Sequence, residues 1–151
     1  MNKFLTAIIF FIFNLTIYAQ DTQYDQFDIV GEWTMTDDTN DSMDYIFSED
    51  GYTSIRSHGR IVNGKSLKLT GGRFAGKTAD NKYEITQTGE YVDLNLIYYM
   101  DNVETARIPG RLKIINKDEC LIILDFKKEF KSIEFSEINK SKICTFKRIK
   151  K

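Results

Sequence analysis

The chain has 151 residues, 42% of them hydrophobic and 28% charged, with a formal net charge of −1. That length suits one domain with one core. The near-neutral balance excludes the basic footprint by which proteins hold nucleic acid or an anionic membrane surface.

The first element is an export signal. One positive charge at Lys3 precedes an apolar run from Phe4 to Tyr18, and the small Ala19 stands before the polar Gln20-Asp21. The run is shorter than the roughly 20 apolar residues of a membrane span and carries Asn14, so no transmembrane span is expected in the mature chain. Cleavage after Ala19 makes residues 1–19 a signal peptide, 20–28 a short linker and 29–151 the folded domain, located in a periplasm or outside the cell. It removes Lys3 from the 21 basic residues and none of the 22 acidic ones, leaving a mature charge of −2.

From Ile29 onward, turn formers recur at short intervals: Asp37 to Asp41, Asp50-Gly51, Asn63-Gly64, Gly71-Gly72, Asp80-Asn81, Thr88-Gly89, Asp101-Asn102, Asn116 to Asp118 and Asn139-Lys140. Such spacing, about every 8 to 12 residues, indicates a run of short strands. Between the turns the apolar residues alternate, which sorts side chains to two faces. Gly31, Trp33 and Met35 share one face, followed by Met43, Tyr45 and Phe47, then Tyr83 and Ile85, then Val92, Leu94, Leu96 and Tyr98, then Leu112 and Ile114. Pro109-Gly110 interrupts the stretch from Val103 to Ile115 and marks an edge, a bulge or a bend. Cys120 to Phe126 is apolar on both faces, which requires a covering element outside, while Lys127 to Lys142 fits helix and strand spacing equally.

The expected fold is all-β, an antiparallel up-and-down barrel of about eight strands. Closure removes the two reactive edges an open sheet of that size would leave, and about eight strands enclose an interior that is filled by side chains or holds one small ligand. A sandwich is the competing all-β arrangement.

The Gly31-Glu32-Trp33 pattern on the first strand resembles the Gly-x-Trp that opens lipocalins and related calycin barrels, and the resemblance extends over most of Ile29 to Ile149. It implies that Trp33 packs across the closed end of the barrel with Arg148, from the last strand, lying over its ring. Gly31, Trp33 and Arg148 are accordingly structural. The chain lacks a recognisable Thr-Asp-Tyr before a later strand, another signature common in that family.

Chemistry is sparse. The one histidine, His58, sits beside Gly59 in a loop without an orienting partner, so no catalytic constellation is visible and the protein is not expected to be an enzyme. The cysteines lack the paired close spacing of a zinc site, and the acidic run Asp37 to Asp44 fails the calcium-loop register, so no metal and no cofactor are expected. Gly71 to Thr78 formally matches a phosphate-binding loop, yet the strand-like Lys82 to Gln87 follows where a helix is needed. In an oxidising compartment Cys120 and Cys144 either form a disulfide or remain free thiols buried in neighbouring strands.

Two functions from different classes follow. In the first, a small, largely apolar ligand occupies the barrel, lined by Tyr45, Phe47, Tyr83, Leu96, Tyr98 and Leu112; core packing is the alternative role of these residues. In the second, the barrel is filled and outward Tyr91, Ile97 and Tyr99 bind an envelope or secreted protein partner.

Overall fold

A computed structural model describes residues 26–128, 133–136, 138 and 140–149. The signal peptide and linker residues 20–25 lie outside the described residues. Ten strands follow one another: β1 (Gly31–Thr36), β2 (Ser42–Phe47), β3 (Thr53–Ser57), β4 (Arg60–Val62), β5 (Leu67–Lys68), β6 (Thr78–Thr88), β7 (Tyr91–Met100), β8 (Val103–Asn116), β9 (Glu119–Leu124) and β10 (Cys144–Arg148). They form one antiparallel sheet in the order β4-β3-β2-β1-β10-β9-β8-β7-β6-β5. The last strand pairs with the first, Trp33 opposite Arg148 and Met35 opposite Phe146.

The ends of this sheet curl together. Tyr52 bridges to Lys82, Tyr83 N–H donates to the Gly51 carbonyl at 3.0 Å, and Asn81 N–H donates to the Gly64 carbonyl at 2.7 Å. Gly64 N–H donates in turn to Ser54 Oγ at 2.9 Å, so one glycine stitches β3 to β6. The wall is therefore a nearly closed barrel of eight long strands, with β4 and β5 in the β3–β6 connection. Ten strands replace the eight expected because elements of three and two residues are too short to show alternation.

Local chemistry explains the meander. His58-Gly59 and Asp101-Asn102 are two-residue hairpin turns in which both residues take positive φ, as the right-handed twist of the flanking strands demands. His58 is thus an exposed turn residue, its Nδ1 2.8 Å from Ser57 Oγ. Gly71 to Thr78 holds a single 3-10 turn, Gly72–Phe74, and runs directly into β6.

Pro109 does not break β8, which is continuous; the register shifts fall between Tyr98 and Tyr99 and between Ile114 and Asn116. The Pro109 carbonyl accepts from Asp125 N–H at 2.9 Å, just past the end of β9, so the proline's missing donor faces the point where β8 becomes an edge.

The inner cluster contains Phe27, Ile29, Trp33, Tyr45, Phe47, Val92, Leu94, Leu96, Leu112, Cys120, Ile122 and Phe146. Phe27 belongs to this core and not to a linker, because segment 27–30 crosses the end of the barrel: its N–H donates to Gln87 Oε1 at 2.6 Å and its ring lies 5.7 Å from that of Trp33. Ile97 and Ile123 are buried on the outside. The chain after β9 returns across that face, where Glu134 meets Arg111 at 2.6 Å and the Phe135 ring lies 6.0 Å from that of Tyr91.

Candidate functional site

The closed end is built around one indole. Trp33 is fully buried, stacks on Phe146 at 4.9 Å with an interplanar angle of 10°, and donates from Nε1 to the Ile29 carbonyl at 2.8 Å. Arg148 Cζ lies 4.3 Å from the centre of the Trp33 ring, and its guanidinium donates to the carbonyls of Val30 and Asp28, each at 2.6 Å. Asp118 adds an ion pair at 3.4 Å. Gly31 makes this approach possible: its φ is +129°, and a Cβ there would stand 2.8 Å from Arg148 Nη1. Gly31, Trp33 and Arg148 thus form one unit that fixes segment 27–30 over the barrel mouth.

Above this unit the interior is solid. The Tyr45 and Phe47 rings pack on Phe146, with centroids 6.2 and 6.1 Å away, and Phe47 meets Tyr83 edge-on at 5.0 Å. Phe47, Leu96 and Leu112, proposed from the sequence as ligand contacts, are core residues and line none of the clefts described below. Tyr83 donates its hydroxyl to the Ser48 carbonyl at 2.8 Å, at the closed end. Tyr45 is buried and Tyr98 half-buried, both inward.

The other end differs. Met35, Met43, Ile55, Tyr98, Ile108, Leu124 and Cys144 face inward there but are only partly buried. At its rim a cavity of about 320 Å³ is floored by Met35, Leu124 and Cys144 and walled by Asp37, Asp38, Asp125 to Lys127, Ser141 and Lys142. Phe126 stands beside it, 58% exposed. Two clefts of about 340 and 390 Å³ flank segment 26–30 at the closed end, the second touching Tyr83. The rim residues after β9 were not legible as site residues, since the sequence offers only Leu124 and Phe126 as apolar markers in a segment of ambiguous period.

Electrostatics at the rim are set by local donors. Asp37 Oδ1 accepts from Thr39 Oγ1 at 2.7 Å, Thr39 N–H at 2.9 Å and Asp41 N–H at 3.0 Å, and the Thr39 hydroxyl leads in holding its carboxyl below the usual carboxylate range. The acidic loop therefore spends its first carboxylate on its own backbone. Among the described residues no group of three or more His, Cys, Asp or Glu is arranged to hold a metal ion.

The two cysteines are free thiols. Cys120 lies opposite Phe146 and Cys144 opposite Ile122, which sets them diagonally on adjacent strands. Diagonal Cβ atoms lie about 7 to 8 Å apart or somewhat less, against roughly 3.8 Å across a disulfide, so a bridge would require the strands to slip.

Burial pushes the Cys120 thiol up from 9.0 to about 12. Tyr45 rises from 10.0 to about 12, through burial first and then the charges of Tyr98 and Cys144. The folded chain keeps both protons at pH values where the unfolded chain releases them. The stability they contribute is whole below pH 9 and is lost as pH rises towards 12. Thermal melts should accordingly show Tm falling between about pH 9.5 and 11, and Cys120→Ala should reduce that dependence. An unchanged Tm over this range would contradict the assigned burial of both groups.

The outer surface suggested for a partner is largely covered. Ile97 is buried, Tyr91 packs under Phe135 with Arg111 and Lys113 over its ring, and Lys82 Nζ lies 5.2 Å from the Tyr99 ring. The chain's own return segment and its cations occupy what alternation alone presents as a free apolar patch.

These features define an antiparallel, up-and-down, nearly closed β-barrel with one plugged end and one less filled end, a form compatible with calycin-like barrels. Comparison with protein-family models, curated proteins and solved structures gives no match.

Proposed function

We propose that this chain is an exported, lipocalin-like carrier that binds a small, largely apolar molecule at the unplugged end of its barrel and acts by binding, without catalysis. The observation that carries the proposal is the asymmetry of filling along the barrel axis. Aromatic rings fill the half around Trp33, where segment 26–30 lies against the partly buried Tyr83, Ile85 and Ile114, while Met35, Leu124 and Cys144 of the opposite half are incompletely covered and adjoin a 320 Å³ cavity. The volume falls within the about 300 to 1,000 Å³ usual for small-molecule sites, and the lining joins apolar Met35, Leu124, Phe126 and Cys144 to a polar and charged wall. Export rests on the charge and apolar pattern of residues 1–19.

Pyrene, a hydrocarbon with environment-sensitive emission, tests the site. Saturable binding is expected, and Leu124→Trp, which fills the cavity floor, should weaken it at least about tenfold while leaving Tm within a few degrees. Non-saturable partition, or binding indifferent to Leu124→Trp, would defeat the proposal.

A further inference from the structure

Asn63 is the only asparagine of the chain that is followed by glycine. That pair is the most open to attack of backbone on side chain, because no Cβ on the glycine bars its nitrogen from the asparagine amide. The pair also stands directly after β4, at the seam that closes the barrel.

The fold treats the two reacting groups in opposite ways. The electrophile is presented: Asn63 is exposed, and its Oδ1 accepts from Lys65 N–H at 3.0 Å, which draws electron density from Cγ and places a donor where attack would create an oxyanion. The nucleophile is withheld. Gly64 is buried, its N–H donates to Ser54 Oγ at 2.9 Å, and its carbonyl accepts from Asn81 N–H at 2.7 Å. An amide held in this way loses its proton only after local opening, as in hydrogen exchange. Nor has Gly64 latitude to turn while the seam is shut, since even a Cβ there would collide with the Thr53 carbonyl.

We infer that Asn63-Gly64 is a self-modifying site gated by the β3–β6 seam: parting of the seam frees the Gly64 nitrogen to attack Asn63 Cγ, and the main product prevents reclosure. The nitrogen gives up its proton and bonds to Cγ, and the side-chain amide leaves as ammonia. Solvent water then opens the cyclic imide. Addition at the side-chain carbonyl leaves an aspartyl residue; addition at the main-chain carbonyl leaves an isoaspartyl residue, whose backbone runs through Cβ and Cγ and is longer. A lengthened link cannot return Gly64 to a place that lacks room for a single carbon atom, so this opening is irreversible.

The test follows deamidation of the chain, folded and in urea, by peptide mass spectrometry that separates the aspartyl and isoaspartyl forms. Reaction at Asn63 should be at least about tenfold slower in the folded chain, and Ser54→Ala, which removes the acceptor holding the Gly64 amide, should accelerate it about fivefold. In the wild type, raising urea below the unfolding transition should increase Gly64 amide exchange and deamidation in parallel. The isolated isoaspartyl form should lose protection at the Asn81 and Tyr83 amides, whereas Asn63→Asp, with its backbone unaltered, should keep it. Equal rates in folded and unfolded chains, a rate indifferent to Ser54→Ala, or deamidation that does not follow Gly64 exchange would overturn the gating. An isoaspartyl form with both amides still protected would overturn the irreversible opening.

Discussion

Replacing Trp33 with alanine should cost about 4 kcal/mol and lower Tm by about 15 °C, the largest effect expected of any side-chain truncation in this chain. The indole is buried without remainder and carries three interactions at once: the face-on Phe146 ring, the Ile29 carbonyl and the Arg148 guanidinium. Its removal leaves a void at the plugged end and strips the cation of its π partner, a contact worth about 0.5 to 2 kcal/mol by itself. Segment 27–30 would then lose its anchor. Trp33→Phe should recover part of the loss, since it restores ring packing but not the Nε1 donor. Because Trp33 is the only tryptophan, urea unfolding is best followed by circular dichroism. A loss below about 1.5 kcal/mol for the alanine variant would mean that the plug holds through its other contacts.

Gly64→Ala should be nearly as damaging, by about 3 kcal/mol, for a different reason. A Cβ at this position would lie 1.8 Å from the Thr53 carbonyl oxygen and 2.5 Å from its carbon, both backbone atoms of β3. Neither can rotate away, so the chain must move off β3 and take with it the bond from Asn81. Native-state hydrogen exchange should show the Asn81 and Tyr83 amides losing protection while those within the β7–β8 pair keep theirs. Gly71→Ala is the control, since a Cβ there meets nothing within 4 Å and no positive φ is involved. Equal stability of the two variants would remove Gly64 from the closure of the barrel.

The difference between these two residues shows what a one-dimensional pattern conveys. Trp33 is legible because alternation assigns its face and the Gly-x-Trp spacing singles it out. Gly64 is not: Asn63-Gly64 has the composition of any turn, and only the folded seam reveals that its missing side chain is what matters. Tyr45, Phe47, Leu96 and Leu112 illustrate a second limit. A period of two states which side of the wall a residue occupies, and says nothing of its height along the barrel axis. Residues of the packed core and residues beside the rim cavity, such as Met35, Leu124 and Cys144, consequently look alike in the sequence. Tyr91 illustrates a third, since an outward apolar residue is free or covered according to where a distant segment returns, here at Phe135. Pro109-Gly110 implies an edge, a bulge or a bend, and the folded chain selects the edge: β8 runs on unbroken while β9 ends opposite the proline.

Closure of the ring joins positions that are far apart in the chain. Arg148 reaches Val30 and Asp28 across sequence separations of 118 and 120 residues, and β10 supplies the neighbour of both β1 and β9. While the chain emerges from the ribosome, β1 has no second partner and segment 27–30 has nothing to bind until β10 arrives. Assembly must therefore be late and slow relative to proteins dominated by local pairings. Until then the half-made sheet carries an unsatisfied strand edge, the stage at which such chains are most vulnerable to self-association.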